Sequence, residues 1–135
     1  MPDYIECPKH SPLFSKAKEL GIFQLDTWGT TFHPKLDVQP EDKIIIKHRV
    51  SAFYNTDLET ILHANNIETL IISGVATNNA VELTAREAHD RDYRIVIIED
   101  ACATMTDEAH RASLNSLQRI SKIITASALV ESNEL

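Results

Sequence analysis

Four short apolar runs, separated by helical patterns, organise the chain from residue 43 onward. The runs are rich in β-branched residues, which is typical of strands that are covered on both faces. They predict strands at residues 43–47, 68–74, 93–99 and 121–126. Because helical patterns alternate with these runs, the sequence predicts an α/β fold with right-handed βαβ units, a mainly parallel sheet and helices on both faces.

Three helical patterns accompany these strands, and each places its apolar residues on one face. Residues 56–66 begin with a capping box, in which Thr56 is the N-cap and Glu59 follows three residues later. Residues 106–120 begin with Thr106 as the cap. The pattern over 78–92 has an apolar stripe formed by Val81, Thr84, Ala85 and Ala88.

The beginning of the chain has a weaker pattern. It predicts one helix at 11–21 and an irregular stretch around Pro34 and Pro40, with no buried strand before residue 43. We therefore expect a single domain over residues 1–135, in which an irregular leader (1–42) precedes the regular β/α units (43–135).

Composition serves mainly to exclude classes of function. The 135 residues include 13 basic and 20 acidic side chains, for a net charge of −7, and no basic stripe. Nucleic acid and anionic membranes are therefore not expected partners, and the apolar runs are too short to span a bilayer. Charged residues near the start exclude a signal peptide, and two cysteines provide no disulfide framework, so we expect a cytoplasmic protein.

Cofactor sites are also not indicated. The chain has three glycines, at positions that form neither a P-loop nor a dinucleotide-binding fingerprint. Its six histidines form no closely spaced pair of metal ligands. We expect no cofactor and no metal, and a small molecule as the ligand.

The carboxyl ends of the predicted strands are where ligands bind in such folds. Lys47 ends the first strand, and it is either a site residue or an ordinary lysine that reaches solvent. Arg49 could bind a substrate carboxylate through its guanidinium or form surface ion pairs. Phe53 and Tyr54 could form a pocket wall, although Phe53 also suits the core. Thr77 and Asn78 could surround a small anion or cap the following helix.

Four motifs in this order resemble the isochorismatase-like hydrolase superfamily, which includes isochorismatases, nicotinamidases and other amide- and ureide-cleaving enzymes. They are KHRVSAFYNTDL (47–58), GVATN (74–78), TAREA (84–88) and EDACA (99–103). The likeness runs from about residue 21 to about residue 129. It implies a three-layer αβα Rossmann-like fold, here N-terminally shortened, and assembly into homo-oligomers.

The resemblance also implies a site. The family's cysteine hydrolases use an Asp–Lys–Cys triad, in which Lys47 matches the lysine and would lower the thiol pKa. A non-proline cis peptide is expected between Val75 and Ala76. The N–H groups of Ala76 and of residue 80 would then form an oxyanion hole.

Two departures from the family pattern concern the chemistry itself. Ala80 occupies the position of the nucleophilic cysteine, which excludes thiol chemistry. The resemblance places the strand with the catalytic aspartate ahead of Met1, and neither Asp3 nor Asp26 lies in an apolar run. Isochorismatases also have a small residue at the cysteine position, and they are thought to cleave a vinyl ether with the aspartate as acid.

Two functions therefore stay open. The first is a hydrolase that cleaves a C–N bond or a vinyl ether in a small polar metabolite, with impaired catalysis in this chain. The second is a non-catalytic pseudoenzyme or truncated subunit that binds a small ligand or a partner. Without the opening strands of the family, the sheet should expose an edge, so we expect self-association or a partner that supplies a strand.

Overall fold

Three parallel strands form the sheet of this computed structural model, which describes residues 3–132. They are β1 (Thr69–Val75), β2 (Arg94–Ala103) and β3 (Lys122–Ile124), in the order β1-β2-β3. Both neighbouring pairs are parallel, so the predicted parallel α/β architecture is confirmed.

Helices precede, separate and follow these strands. Within residues 3–132 they are α1 (Pro12–Leu20), α2 (Leu58–Ala64), α3 (Glu82–His89), α4 (Asp107–Leu117) and α5 (Ala126–Glu131). A π-helical turn, Thr77–Val81, leads directly into α3, and a 3₁₀ turn lies at Trp28–Thr30. None of the helices in this described part is long and apolar enough to cross a membrane.

The chain divides into two compact units, Met1–Ile44 and Ile45–Leu135. This boundary lies close to the predicted change of pattern at residue 43, while the expectation of a single domain stays a prediction. In the first unit, α1 is the predicted helix, and Ser11 caps it by accepting a hydrogen bond from the N–H of Phe14. The residues after α1 are irregular apart from the short 3₁₀ turn, as predicted.

The strand predicted at 43–47 is wrong, because these residues form no strand. Ile44 and Ile46 are 61% and 54% exposed. An apolar β-branched run pairs only where a neighbouring strand offers its backbone groups, and propensity alone does not supply that neighbour. Lys47 therefore lies in an irregular segment and not at the end of a strand.

The capping box predicted for α2 is also wrong. The N-cap is Asp57, and it makes no side-chain capping hydrogen bond. The Thr56 hydroxyl accepts a hydrogen bond from the N–H of Leu58 at 3.3 Å, while the Glu59 carboxylate pairs with Arg91 at 2.6 Å. Thr56 thus contributes to the start of α2, but the reciprocal pair with Glu59 does not form.

The start of α4 is as predicted, since the Thr106 hydroxyl accepts a hydrogen bond from the N–H of Ala109 at 3.2 Å. Helix α5 is not among the predicted helices, and its first residue lies in the strand predicted at 121–126. Its first N–H, from Ala126, donates to the Asp100 carboxylate at 2.8 Å, which ties the end of β2 to the start of this helix.

The core lies between the sheet and helices α3 and α4. Its buried members are Phe53, Val81, Ala85, Ala88, Tyr93, Ile95, Ile97, Cys102, Leu114 and Leu117. The predicted stripe of α3 is thus buried, with Thr84 partly buried beside it.

Candidate active site

A backbone corner ends β1 and forms the centre of the candidate site. Gly74 has a φ of +125°, a conformation that side chains with a Cβ rarely adopt. The next peptide bond, Val75–Ala76, is cis, as the sequence analysis expected. Val75 is 75% exposed, so this corner faces solvent.

The partner strand bulges opposite the corner. Ile72 pairs with Ile97 and Gly74 pairs with Cys102, so β2 advances five residues while β1 advances two. Such bulges redirect the chain at strand ends. This one explains why β2 extends beyond the predicted 93–99, because the strand resumes pairing after the irregularity.

Ala80, the position of the family nucleophile, lies in the π-helical turn that follows the corner. Its side chain is a methyl group that is partly exposed. A ligand at the corner could therefore reach this position, but it would meet no nucleophilic atom.

Thr77 and Asn78 do not cap the turn, since it has no side-chain capping hydrogen bond. The Thr77 hydroxyl is fully buried and lies 2.8 Å from Nδ1 of His110. Asn78 is exposed, and its side-chain oxygen accepts a hydrogen bond from the Thr104 hydroxyl at 2.7 Å. No local pattern in the sequence indicates His110 as a partner of Thr77, because 33 residues separate the two.

Lys47 folds its side chain back onto its own loop. Its Nζ donates to the carbonyls of Arg49 and Val50, each at 3.0 Å. Burial lowers the pKa of this amine below its ordinary value, although the residue as a whole is exposed. Lys47 is therefore a cation whose position is determined by the loop that carries it.

The other candidate substrate-binding residues differ in how accessible they are to a ligand. The Arg49 guanidinium donates to the carbonyl of His48 at 2.7 Å. Phe53 belongs to the core, since it is 4% exposed and its ring centroid lies 5.9 Å from that of Tyr93. Tyr54 is 58% exposed, so it is the aromatic ring of this pair that a ligand could reach.

Cys102 does not replace the missing nucleophile. Cys102 is buried, and burial raises the pKa of its thiol, which makes it a poor nucleophile. Among residues 3–132, no three His, Cys, Asp or Glu side chains lie close enough together to hold a metal ion.

A shallow cavity of about 300 Å³ lies at the opposite end of the strands from the corner. Its lining includes Arg91 and Arg94, which are paired with glutamates at 2.6 Å and 3.0 Å. Because its cations are already neutralised, this cavity is a weaker candidate for an anionic ligand than the corner.

Comparison with known proteins identifies the family. A family model for the isochorismatase domain matches residues 2–128. The chain belongs to the isochorismatase family. Among curated isochorismatase relatives, it is 40% identical over 121 residues to the family protein YwoC of Bacillus subtilis, covering 89% of this chain and 64% of that protein.

A second isochorismatase relative has a named activity. The chain is 35% identical over 112 residues to the ureidoacrylate amidohydrolase RutB of Methylorubrum extorquens, covering 74% of this chain and 45% of that protein. The chain therefore spans less than two thirds of the length of both relatives.

Solved structures agree with the isochorismatase fold. An isochorismatase-like hydrolase from Alkaliphilus metalliredigens superimposes with a TM-score of 0.76 at 35% identity, covering 78% of this chain and 59% of that chain. The three-strand parallel sheet is thus part of the family fold.

Proposed function

We propose that this chain is a hydrolase of the isochorismatase family for a small polar metabolite, with a C–N bond or a vinyl ether as the bond cleaved, and that its catalysis is impaired. The impaired catalysis is inferred from Ala80, whose partly exposed methyl group lies in the turn after β1. By resemblance this is the position of the family nucleophile.

The impairment follows from elementary chemistry. A methyl group cannot attack a carbonyl, so no thioester can form at position 80. Cleavage of a vinyl ether needs no thiol, but it needs a general acid to protonate the substrate. In this proposal Lys47 is the cation of the site, and the N–H groups of Ala76 and Ala80 form the oxyanion hole.

The second candidate is a pseudoenzyme that binds a ligand or partner without turnover. The hydrogen bonds of Lys47 favour it, because two loop carbonyls already occupy donors of the amine. Such an amine stabilises its loop, and it could still attract a small anion at the corner. We also propose a cytoplasmic location and self-association.

The assay compares the chain with Ala80→Cys and with Ala80→Ser, which has a similar size but no thiol. The panel contains simple amides, isochorismate and ureides, the last because the relative RutB is named for a ureidoacrylate amidohydrolase activity. We expect no turnover by the unmodified chain. Ala80→Cys should form an acyl-enzyme with a reactive substrate, detected as a mass increase, and Ala80→Ser should not.

Lys47→Met in the Ala80→Cys background tests the role of the lysine. Loss of the ammonium should raise the thiol pKa and slow acylation by about tenfold, equivalent to about one pKa unit. Turnover by the unmodified chain that Lys47→Met abolishes would refute the impairment. Binding of a panel member without turnover in any variant would favour the pseudoenzyme.

A further inference from the structure

We propose that Thr84 and Glu87 of α3 are positioning residues for Lys47, because they hold the loop whose carbonyls receive the lysine amine. This inference rests on the proposed function, in which Lys47 is the cation of the site. The contacts themselves lie within the Ile45–Leu135 unit.

The first step is the dependence of the amine on its loop. Nζ of Lys47 donates to the carbonyls of Arg49 and Val50, each at 3.0 Å. A long and flexible side chain is ordered here by backbone acceptors two and three residues further along the chain. Any movement of that backbone therefore moves the amine.

The second step is the attachment of this loop to α3. Ser51 and Ala52 directly follow the acceptor carbonyls. The N–H of Ala52 donates to the Thr84 hydroxyl at 3.1 Å, across 32 residues of sequence. Ser51 is 3% exposed, and its hydroxyl accepts a hydrogen bond from the N–H of Phe53 at 3.1 Å. The same hydroxyl, as a donor, contributes to the lowered pKa of the Glu87 carboxyl.

The third step is the orientation of Glu87 itself. Arg91 donates to Glu87 at 2.6 Å and to Glu59 of α2 at 2.6 Å. The guanidinium carbon of Arg91 also lies 5.1 Å from the centroid of the Phe53 ring. One arginine thus holds the carboxylate and the far end of the same loop.

The last step is the connection between α3 and the turn that contains Ala80. Helix α3 follows the turn that contains Ala80, and Thr84 comes four residues after Ala80. A helix is a stiff element, so attaching the loop to its side fixes the lysine relative to position 80. Thr84 and Glu87 are three residues apart and therefore lie on one helix face.

The test measures the reactivity of the Lys47 amine and needs no turnover. The chain is acetylated with acetic anhydride over a range of pH, and the rate at each lysine is read by peptide mass spectrometry. Because burial lowers the pKa of Lys47, this amine should react at lower pH than exposed lysines. In Thr84→Val and Glu87→Gln the loop should no longer hold the amine in place. The acetylation rate of Lys47 near pH 8 should then fall by about threefold or more.

Two comparisons separate positioning from general destabilisation. Thr84→Ser keeps the hydroxyl acceptor and should restore the original profile. Arg86→Met lies on the same helix but removes a pair with Glu82 at 2.8 Å and a hydrogen bond to Ser116, neither of which reaches the loop. This variant should leave the Lys47 profile unchanged.

The inference would be overturned if the pH dependence of Lys47 acetylation stayed the same in folded Thr84→Val and Glu87→Gln. An equal change of this pH dependence in Arg86→Met would also overturn it. Folding of each variant is checked by circular dichroism, and the conservative Glu87→Gln suffices if Thr84→Val fails to fold. Failure of Ala80→Cys to form an acyl-enzyme would refute the proposed function and would leave this labelling result intact, so the two failures are distinguishable.

Discussion

Gly74 shows how a single residue type can be required by backbone geometry at the candidate site. Its φ of +125° lies in a region that L-residues rarely adopt, and an added Cβ would meet no atom within 4 Å. The requirement for glycine therefore comes from the backbone conformation and not from crowding. The motif GVATN contains this glycine because the corner that follows β1 depends on it.

Gly74→Ala should lower the free energy of unfolding by about 1–3 kcal/mol, since alanine must adopt a sparsely populated conformation or shift the corner. Gly29→Ala is the matched control, because Gly29 also has open space but no positive φ, and its effect should stay within about 0.5 kcal/mol. Urea denaturation of both variants measures the difference. Equal effects of the two substitutions would contradict this role of Gly74.

At the scale of elements, α3 connects two neighbours through two different polar networks. Towards α4, the Glu82 carboxylate accepts from the Ser113 hydroxyl at 2.6 Å and from Arg86. Towards the lysine loop, the Thr84 hydroxyl accepts from the N–H of Ala52 at 3.1 Å, and Glu87 accepts from Arg91 at 2.6 Å. The helix thus joins the loop and α4 to the turn that contains position 80.

The Glu87 network should make stability depend on pH. Burial would raise the pKa of Glu87, but hydrogen bonds from Ser51 and Arg91 and the arginine charge outweigh it, so the pKa lies below its usual value. A depressed carboxyl pKa stabilises the fold above the unfolded value of 4.5, and this contribution is lost as pH falls through the folded value.

Glu87→Gln should therefore destabilise the chain at neutral pH, and the difference from the unmodified chain should shrink in acid. Urea denaturation at neutral pH and near pH 3 measures it. Glu68→Gln is the control, because its pair with Arg94 is exposed, with side chains 77% and 71% accessible, and contributes little. A Glu87→Gln difference that persists or grows in acid would contradict the assignment.

Across the whole molecule, the sequence pattern predicts individual strands, helices and helix caps, but not the contacts between distant residues. Periodicity located β1, α3 and α4, and Thr106 was recognised as a cap because capping needs only a residue three positions away. The strand prediction for residues 43–47 is wrong, since pairing depends on a neighbouring strand that the pattern cannot reveal. Contacts such as Thr77 with His110 or Ala52 with Thr84 join distant parts of the chain, and no periodicity encodes them.

Self-association is predicted at the open edge of the sheet, which is the side of β1 that faces away from β2. β1 pairs with β2 on one side and has no other strand partner within the described residues. Its residues Ile71 and Val75 are 43% and 75% exposed. An edge strand with apolar side chains is a template for pairing with another chain, so a second copy should bind along β1.

Analytical ultracentrifugation of the chain should therefore show a dimer or a larger assembly. Ile71→Lys should weaken it by about tenfold in Kd, because charged residues at an edge oppose pairing. Leu83→Lys is the matched control, since Leu83 is 44% exposed but lies on α3, and it should leave the Kd unchanged. A chain that sediments as a monomer at high concentration, or equal weakening by both lysines, would exclude the β1 edge as the contact.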